Sequence, residues 1–387
     1  MEGMEKMVKK FDEMLVNSEE YFGNLKKKTL ICWGAGSKGK QTSQLLAEKG
    51  IYPEAFCDNN PQLAGEYIDG IPIYNYETIR EKYEEYCICI TATLGNAIEI
   101  SKGLKSKGET NEIRFMANPF KAENKFLDTS EILKNYKEYE ESYMVLEDEK
   151  SRKIFINFLN WKITGNQYLT YGETETDWLE FLDRKIIPNR EDYCYLDVGA
   201  YTGDTIVRFL ALENGKYNRI IAFEPDDNNF DKLNSLIENG RLERITCLKQ
   251  GLWSENGELL FYMRSGEGTY ESSNFFRAVD ITLSNSLSGG GKAEVVKVRT
   301  LDSYLDEIAD EEHILLKIDA LASEGEIIGG GVEIIRRKKP VIVMEYGTHS
   351  EHISDMIPLL KGLRSDYKFF LRQRPTGNNS RTALYAV

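Results

Sequence analysis

The sequence predicts an α/β protein with two doubly wound, Rossmann-like domains. Two separate parts of the chain alternate short apolar runs with helical patterns, and each part opens with an apolar run that leads into a glycine turn. In addition, 387 residues exceed what one ordinary core accommodates. We expect an N-terminal helix within residues 1–26, a first domain over 27–120, a helical connector over 121–190 and a second domain over 191–387.

The N-terminal segment has the pattern of an amphipathic helix. Apolar residues recur at helical spacing over residues 4–22, and Gly23-Asn24 would end the helix.

The first domain opens with an apolar run at residues 29–33, which leads into Gly34-Ala35-Gly36-Ser37-Lys38-Gly39. A second strand candidate ends at Asp58 about twenty residues on, as in dinucleotide-binding folds. This context predicts a site for a nucleotide or nucleotide-sugar, with Asp58 near a ribose. The candidate residues are Gly34, Gly36, Ser37, Gly39 and Asp58. The alternative, a domain that keeps this fold but binds no ligand, has equal weight.

The predicted connector, residues 121–190, is charged and has a helical pattern with an apolar stripe. We interpret it as a group of helices that could cover a ligand cleft.

The second domain contains the most informative pattern of the chain. An apolar strand ending near Val198 enters a glycine turn and a helix, and the next apolar strand ends in Glu224. Glycines let the backbone approach a ligand closely, and a carboxylate at the next strand end can accept both hydroxyls of a ribose. The D-x-G-x-x-x-G spacing suits S-adenosylmethionine, and an ordinary strand–helix turn is the alternative. The candidate cofactor-binding residues are Asp197, Gly199, Ala200, Tyr201, Gly203, Asp204, Glu224 and Pro225.

The remainder of this domain continues the alternation. Strand candidates over 367–372 and 382–387 flank a turn-rich segment and predict a terminal antiparallel hairpin, as in a class I methyltransferase fold. The segment 265–291 is rich in glycine and serine, and we expect a loop on the substrate side.

Residues from about 143 to 387 resemble the FkbM-like S-adenosylmethionine-dependent methyltransferases. The matching runs are 196–205, 222–225, Thr300-Leu301-Asp302 and Leu316-Lys317-Ile318-Asp319 with Ser323-Glu324. The resemblance implies methylation of a hydroxyl on a sugar, a glycan or a glycosylated natural-product intermediate. One departure is that the family reads K-x-D-x-E-G-x-E, whereas Leu321 and Ala322 stand at the E-G positions here. If the missing carboxylate acts on substrate in the family, this chain uses another group or is impaired.

Methylation of a hydroxyl gains from a base, because the proton must leave. Open α/β sheets place ligands at the carboxyl ends of their strands, and Asp319, Glu345 and His349 lie there in the sequence. Asp319 is the leading candidate for the catalytic base, with helix capping as the alternative role. His349 and His352 could share a helix face with a metal, but we favour a surface or capping role and predict no metal site.

Composition limits the partners. The formal net charge is −14, from 63 acidic and 49 basic side chains, which disfavours nucleic acid. The six cysteines lie mostly in apolar runs and indicate reduced thiols. No segment has the length of a signal-peptide core or a membrane span, so we expect a cytoplasmic protein without a membrane partner. A small-molecule sugar or glycan acceptor is the expected partner, and a homo-oligomer is left open.

Two other classes of function compete with this interpretation. An NAD-dependent sugar oxidoreductase is disfavoured, because no Tyr-x-x-x-Lys pair follows the first glycine turn at a usable distance. The other is a non-catalytic nucleotide or nucleotide-sugar binding protein that retains the methyltransferase fold. Retention of Asp197, Gly199, Gly203 and Glu224 argues against a complete loss of binding.

Overall fold

The computed structural model describes residues 11–119, 123, 125–173, 181–263, 274–276, 292–320, 323–376 and 379–387. The chain forms two compact units. The first contains Met1–Asp177 and Leu371–Thr382, and the second contains Trp178–Phe370 and Ala383–Val387. Each unit has a sheet of mainly parallel strands, so the predicted α/β class is confirmed.

The helix expected over residues 4–22 is interrupted. Residues 11–14 are helical, and a new helix, α1, spans Ser18–Leu25, with the Asn17 side chain accepting a hydrogen bond from the amide of Glu20. Asn160 holds the break: its side chain accepts from the amide of Val16 at 2.7 Å and donates to the Met14 carbonyl at 2.9 Å. The part of the expected helix before residue 11 lies outside the described residues.

The first unit contains a six-stranded sheet of order β3-β4-β2-β1-β5-β6. Its strands are β1 Leu30–Trp33, β2 Ala55–Cys57, β3 Tyr67–Ile68, β4 Ile71–Tyr74, β5 Cys87–Ile90 and β6 Glu112–Phe115. The helices between them are α2 Ser37–Glu48, α3 Tyr76–Lys82 and α4 Leu94–Ser106. All neighbouring strands pair in parallel except β3 with β4.

Both faces of this sheet are covered. Leu30 and Cys32 of β1 belong to one apolar cluster, and Ile31 and Trp33 belong to another. Successive side chains of a strand point to opposite faces, so a wholly apolar strand requires an apolar layer on each side. The unbroken apolar runs in the sequence therefore reflect burial on two faces.

The helices of the expected connector belong mostly to the first unit. They are α5 Thr129–Lys134, α6 Tyr136–Met144, α7 Glu149–Thr164 and α8 Tyr168–Tyr171. The amide of Ala117, just after β6, donates to the Gly165 carbonyl at the end of α7 at 3.0 Å, and the Lys162 ammonium group donates to the Pro119 carbonyl at 2.7 Å. These bonds join α7 to the chain that leaves the sheet.

The second unit contains the larger, seven-stranded sheet, of order β16-β17-β15-β14-β7-β8-β9. Its strands are β7 Cys194–Val198, β8 Arg219–Phe223, β9 Ile245–Leu248, β14 Ile314–Ile318, β15 Val341–Glu345, β16 Phe369–Thr376 and β17 Asn379–Ala386. Its helices are α9 Asp204–Glu213, α10 Asp227–Gly240, α11 Glu324–Gly329, α12 Val332–Lys338 and α13 Glu351–Leu363. The five strands from β15 to the edge strand β9 are parallel, and β17 runs antiparallel to β15.

The last two strands are longer than the sequence indicates, and residues 371–382 of their span are grouped with the first unit. There Arg372 forms an ion pair with Asp148 at 2.7 Å, and the Leu371 amide donates to the Ser151 hydroxyl at 2.9 Å. Residues 377–378 of the expected turn lie outside the described residues.

A four-stranded sheet of order β10-β13-β11-β12 lies between β9 and β14 in the chain. Its strands are β10 Gly251–Leu252, β11 Gly257–Met263, β12 Asn274–Phe276 and β13 Lys292–Arg299. Most of the expected loop over 265–291 lies outside the described residues. Among the helices that are described, none has the length and apolar character needed to cross a bilayer.

A buried ion pair joins β7 to β14 in the centre of the large sheet. The Lys317 ammonium group lies 3.0 Å from Oδ1 of Asp197, and both side chains are almost completely buried. Burial raises the pKa of the Asp197 carboxyl, an effect that Lys317 opposes. Burial alone would lower the pKa of Lys317, but the carboxylates of Asp197 and Asp319 raise it, so the lysine keeps its charge.

Asp302, in the Thr300-Leu301-Asp302 run, caps a helix. It lies in a short 3-10 helix, Leu301–Tyr304, and its two carboxylate oxygens accept hydrogen bonds from the amides of Glu333 and Ile334 at 3.0 and 2.8 Å. These amides belong to the first turn of α12, where they have no partner within the helix.

Replacing Lys317 with methionine should destabilise the second unit by about 3 to 5 kcal/mol, because a buried carboxylate loses its counter-charge. Chemical denaturation followed by circular dichroism measures the loss. The double variant Lys317→Met/Asp197→Asn should recover part of it, and Lys297→Met, at an exposed lysine, should leave stability unchanged. A single variant as stable as the unsubstituted protein would contradict the importance of the pair.

Replacing Asp302 with alanine should cost about 1 to 2 kcal/mol, because two helix amides lose their acceptor. Differential scanning calorimetry should show a melting temperature lower by several degrees, given about 2 to 4 °C per kcal/mol for units of this size. Asp302→Asn should lose less, since it keeps one oxygen acceptor. An equal loss in Asp306→Ala, at an exposed neighbouring position, would show that capping is not the cause.

Candidate functional site

The glycine turn after β7 is shaped by backbone hydrogen bonds. The amides of Gly199 and Ala200 both donate to the carbonyl of Phe223, the last residue of β8, at 3.0 and 3.1 Å. The Gly203 amide donates to the Ala200 carbonyl at 2.9 Å, and α9 starts at the next residue. The loop is thus fixed to the end of the neighbouring strand.

Two glycines in this loop have positive φ angles, which favour glycine. Gly199 has a φ of +74°, and a Cβ atom there would lie 2.1 Å from the carbonyl oxygen of Asp319. Gly203 has a φ of +89°, and a Cβ atom there would lie 2.5 Å from the end of the Leu236 side chain, which can move. The turn can therefore lie directly against the end of β14 only with glycine at 199, whereas glycine at 203 is favoured mainly by its conformation.

Glu224 follows β8 and is the central acid of the site. It is 5% exposed, and its two carboxylate oxygens accept hydrogen bonds from the amides of Tyr201 at 2.8 Å and Asp226 at 2.9 Å. Burial raises the pKa of the Glu224 carboxyl to about 7, although the two amide donors oppose the rise. The structure brings Glu224 and the glycine turn together, as the sequence pattern predicts.

The other candidate cofactor residues surround this centre. Tyr201 has a φ of +50° and an exposed ring, Ala200 is buried, and Asp204 starts α9 with a half-exposed side chain. Pro225 lines an open cleft of about 430 Å³, together with Lys249 and Val295. The turn, the acid and the cleft thus lie at the carboxyl ends of β7, β8 and β9, where parallel sheets bind ligands.

Asp197 differs from the other candidates because it points into the protein. Its Oδ2 accepts from the Thr205 hydroxyl at 2.6 Å, and its Oδ1 faces Lys317. Lys317 also donates to the carbonyls of Gly199 at 2.7 Å and Val198 at 3.3 Å. No role for this lysine, which connects β14 to the glycine turn, was predicted from the sequence. The sequence signal that could have indicated this role is a lysine within an otherwise apolar strand, Ile314–Ile318.

The three candidate bases lie at the same edge of the sheet. Asp319 follows β14, and its amide donates to the Val198 carbonyl at 3.0 Å. Glu345 ends β15, which pairs with β14 through Ile318 and Met344, so Asp319 and Glu345 stand at equivalent positions on adjacent strands. His349 lies in the loop before α13, with its ring 5.7 Å from the ring of His352.

Two residues near these candidates carry contacts that the sequence did not reveal. The buried Glu324, at the start of α11, accepts a hydrogen bond from the Thr348 hydroxyl at 3.1 Å and lies 3.8 Å from Nδ1 of His352. Leu321 and Ala322, where the chain departs from the family pattern, lie outside the described residues. Within the described ranges, no group of three or more histidine, cysteine, aspartate or glutamate side chains is placed to hold a metal.

The glycine turn of the first unit is also built by local bonds. The amide of Gly34 donates to the Cys57 carbonyl at 2.8 Å, and Asp58 accepts from the amide of Ala35 at 2.8 Å. A Cβ atom on Gly39 would lie 1.8 Å from the Gly34 carbonyl oxygen, whereas one on Gly36 would meet nothing within 4 Å. Gly39 is required for packing, Gly36 and Ser37 begin α2, and ligand binding by this turn stays a prediction.

Comparisons with known proteins extend these observations. Residues 197–369 match the family model of the methyltransferase FkbM domain. The fold is similar to the crystal structure of methyltransferase FkbM from Methylobacillus flagellatus KT, with a TM-score of 0.71, 17% identity and 99% of each chain covered. The match to precorrin-6y C5,15-methyltransferase from Geobacter metallireducens GS-15 is weaker: the TM-score is 0.31 at 11% identity, over 56% of this chain and 94% of that one. No curated protein matches the sequence.

The family match starts at Asp197, at the end of β7, and extends into β16. It therefore includes the glycine turn, Glu224, the buried ion pair and the three candidate bases. The structural similarity to the Methylobacillus protein covers both units of the chain. The second unit of this chain is an FkbM-like methyltransferase domain.

Proposed function

We propose that the chain is an S-adenosylmethionine-dependent O-methyltransferase that acts on a sugar, a glycan or a glycosylated natural-product intermediate. The observation that carries the proposal is the buried carboxylate of Glu224, which backbone amides hold beside the glycine turn Gly199–Gly203.

The donor and acceptor groups of the site fit the cofactor. A carboxylate offers about four lone-pair directions, and backbone amides occupy two of those on Glu224. The other two can accept the neighbouring hydroxyls of a ribose. Glu224 cannot be replaced in this role by a neutral amide, because glutamine offers one oxygen acceptor instead of two.

The surroundings of Glu224 provide space for the remainder of the cofactor. The cleft beside Pro225, at about 430 Å³, lies within the usual range for small-molecule sites and would accept the nucleobase. The glycine turn, with Tyr201 and Asp204 at its outer side, would contact the amino acid portion. When bound, S-adenosylmethionine supplies an electrophilic methyl group.

The acceptor side is formed by the ends of β14 and β15. Asp319 lies against Gly199, so a group held by Asp319 or Glu345 would lie beside the glycine turn. Carboxylates at this place can orient a hydroxyl and receive its proton, and most of the rate enhancement can come from holding the reacting groups in line. The sugar or glycan class rests on the family resemblance. The net charge of −14 supports a small acceptor over nucleic acid.

Calorimetric titration with S-adenosylmethionine and S-adenosylhomocysteine tests the cofactor. We expect micromolar binding to the unsubstituted protein and none to Glu224→Ala, because the ribose hydroxyls lose their acceptor. Glu238→Ala, at an exposed position on α10, is the matched control and should bind normally. Transfer of a labelled methyl group to a panel of nucleotide sugars and oligosaccharides then tests the acceptor class.

Failure of the well-folded protein to bind either ligand would refute the proposal. The chain would then be better explained as a binding protein that keeps the methyltransferase fold, and the turn of the first unit would be the next place to search. Binding without transfer to any hydroxyl acceptor would refute the O-methylation part alone.

Binding should strengthen as the pH rises through about 7, because only the ionised Glu224 carboxylate accepts both ribose hydroxyls. Below this pH the affinity for S-adenosylhomocysteine should fall by up to about tenfold per unit, since each unit of acidity reduces the ionised fraction tenfold. Calorimetry between pH 5.5 and 8.5, with about the same salt concentration at every pH, measures this dependence. Glu224→Gln should bind weakly at every pH and without this dependence, and an identical profile in that variant would assign the dependence to another group.

The same raised pKa has the opposite effect on folding. A carboxyl whose native pKa lies above its usual value of 4.5 stabilises the folded protein below that pH, and this contribution is lost as the pH rises to about 7. The stability of the ligand-free Glu224→Gln variant relative to the unsubstituted chain should therefore rise between pH 5 and pH 8, as measured by thermal unfolding. A difference that stays constant over this range would contradict the burial of a charged group at this position.

A further inference from the structure

We propose that Glu324 and His352 form a carboxylate–imidazole pair, in which Nε2 of His352 receives the proton of the acceptor hydroxyl and Glu324 positions the ring. This inference rests on the proposed methyl transfer and assigns its base to a residue outside the three candidates Asp319, Glu345 and His349.

Glu324 has the features of a positioning group. Its carboxylate is 1% exposed, although it lies at the start of a short helix, α11. Oε2 accepts a hydrogen bond from the Thr348 hydroxyl at 3.1 Å, and the same oxygen lies 3.8 Å from Nδ1 of His352. Catalytic hydrogen bonds are often long without substrate and shorten in the reactive complex.

The backbone next to Glu324 makes room for the imidazole. A Cβ atom at Gly325 would lie 2.9 Å from Nε2 of His352, so the ring packs over a glycine that has no side chain to displace it. The His352 side chain remains 23% exposed, whereas Glu324 is covered. The pair thus has a buried acid and an imidazole with access to solvent.

The pair lies at the ligand edge of the large sheet. α11 follows β14, whose end contacts the glycine turn through Asp319 and Gly199, and α13 follows β15. Thr348, which binds Glu324, lies in the loop directly after β15. The carboxyl ends of parallel strands are where an open α/β sheet binds its substrates.

A base from this pair also fits the departure from the family pattern. Leu321 replaces a carboxylate, so the chain lacks one acidic group near β14. A histidine oriented by a buried glutamate can provide the missing proton acceptor, because imidazole gains and loses a proton near neutral pH.

The proposed proton transfer balances. The Glu324 carboxylate keeps the proton of neutral His352 on Nδ1, so Nε2 is the basic nitrogen of the ring. The hydroxyl oxygen of the acceptor forms a bond to the methyl carbon as the carbon–sulfur bond breaks, and that electron pair remains on sulfur. The hydroxyl proton moves to Nε2, and Glu324 stabilises the imidazolium. No oxidant or further reactant is required.

Titratable groups approach His352 from two elements. Glu324 approaches it from α11, and His349 approaches from the loop before α13 with a ring separation of 5.7 Å. Asp355 lies one turn further along α13, where its carboxylate accepts from Ser354 at 2.6 Å. The Glu324 carboxylate favours the imidazolium, so the proton acceptor is the neutral fraction of His352, which grows as the pH rises.

Histidine NMR tests the pair in the full-length protein. The chain has three histidines, so ring signals labelled with ¹⁵N and ¹³C can be assigned by His→Gln variants. The unsubstituted protein should show neutral His352 protonated on Nδ1. In Glu324→Gln the titration midpoint of His352 should fall by about one pH unit, because a negative charge is removed.

Two controls make this measurement specific. His313, which contacts Asp192 at 2.9 Å, should keep its midpoint in Glu324→Gln. Glu326→Gln, on the same helix, should leave the midpoint of His352 unchanged. If Glu324→Gln does not fold, the tautomer of neutral His352 in the unsubstituted protein still tests the pair. A proton on Nε2 of neutral His352, or an unchanged midpoint in Glu324→Gln, would overturn the pair.

Ligand binding separates this inference from the proposed function. His352→Gln should bind S-adenosylhomocysteine within about twofold of the unsubstituted protein, whereas methyl transfer to an acceptor found in the panel should fall by about 10² to 10⁴ in kcat. Glu324→Gln should bind the same ligand and shift the pH profile of kcat. Absence of binding to the unsubstituted protein would refute the methyltransferase proposal and this role with it. Normal kcat in His352→Gln would overturn the role alone.

Discussion

The buried contact of Lys317 with Asp197 is the constraint on which the centre of the second unit depends. It joins the two middle strands, β7 and β14, by a charge pair that water does not reach. The same ammonium group donates to the carbonyls of Val198 and Gly199, so a side chain of β14 holds the start of the glycine turn. An apolar residue at 317 could fill the space, but it would leave Oδ1 of Asp197 and the carbonyls of the turn without the lysine donor.

The site is an extension of this arrangement to the neighbouring strands. The turn that Lys317 holds is also bound to the end of β8, and that strand supplies Glu224. On the other side, the turn lies against the end of β14, which leads to Asp319 and then to Glu324. In the proposed function, the cofactor would lie on one side of this loop and the acceptor on the other. Backbone amides and carbonyls hold the loop in place on both sides.

Local patterns were sufficient to predict the parallel α/β class, the glycine turn after β7 and the acid at the end of β8, because each depends on residues close in the sequence. Contacts between distant residues were not predictable in this way. The first helix breaks because Asn160 binds the chain at Met14 and Val16, and Asp302 caps a helix about thirty residues further on. The approach of His352 to Glu324 depends on the packing of two helices and on Gly325, which no pattern in either helix indicates.

The backbone conformation of Tyr201 lowers the stability of the fold but fixes the shape of the glycine turn. A non-glycine residue with φ near +50° is strained by about 1 to 3 kcal/mol, and here the strain directs an amide at Glu224. The fold thus fixes the conformation of the loop, so a ligand at the proposed site would lose little entropy in ordering it. Such a loop limits evolutionary change. Substitutions that relax the backbone at Tyr201 would raise the stability of the fold but weaken the hold of its amide on the Glu224 carboxylate. Selection for stability and selection for ligand affinity would therefore oppose each other at this residue.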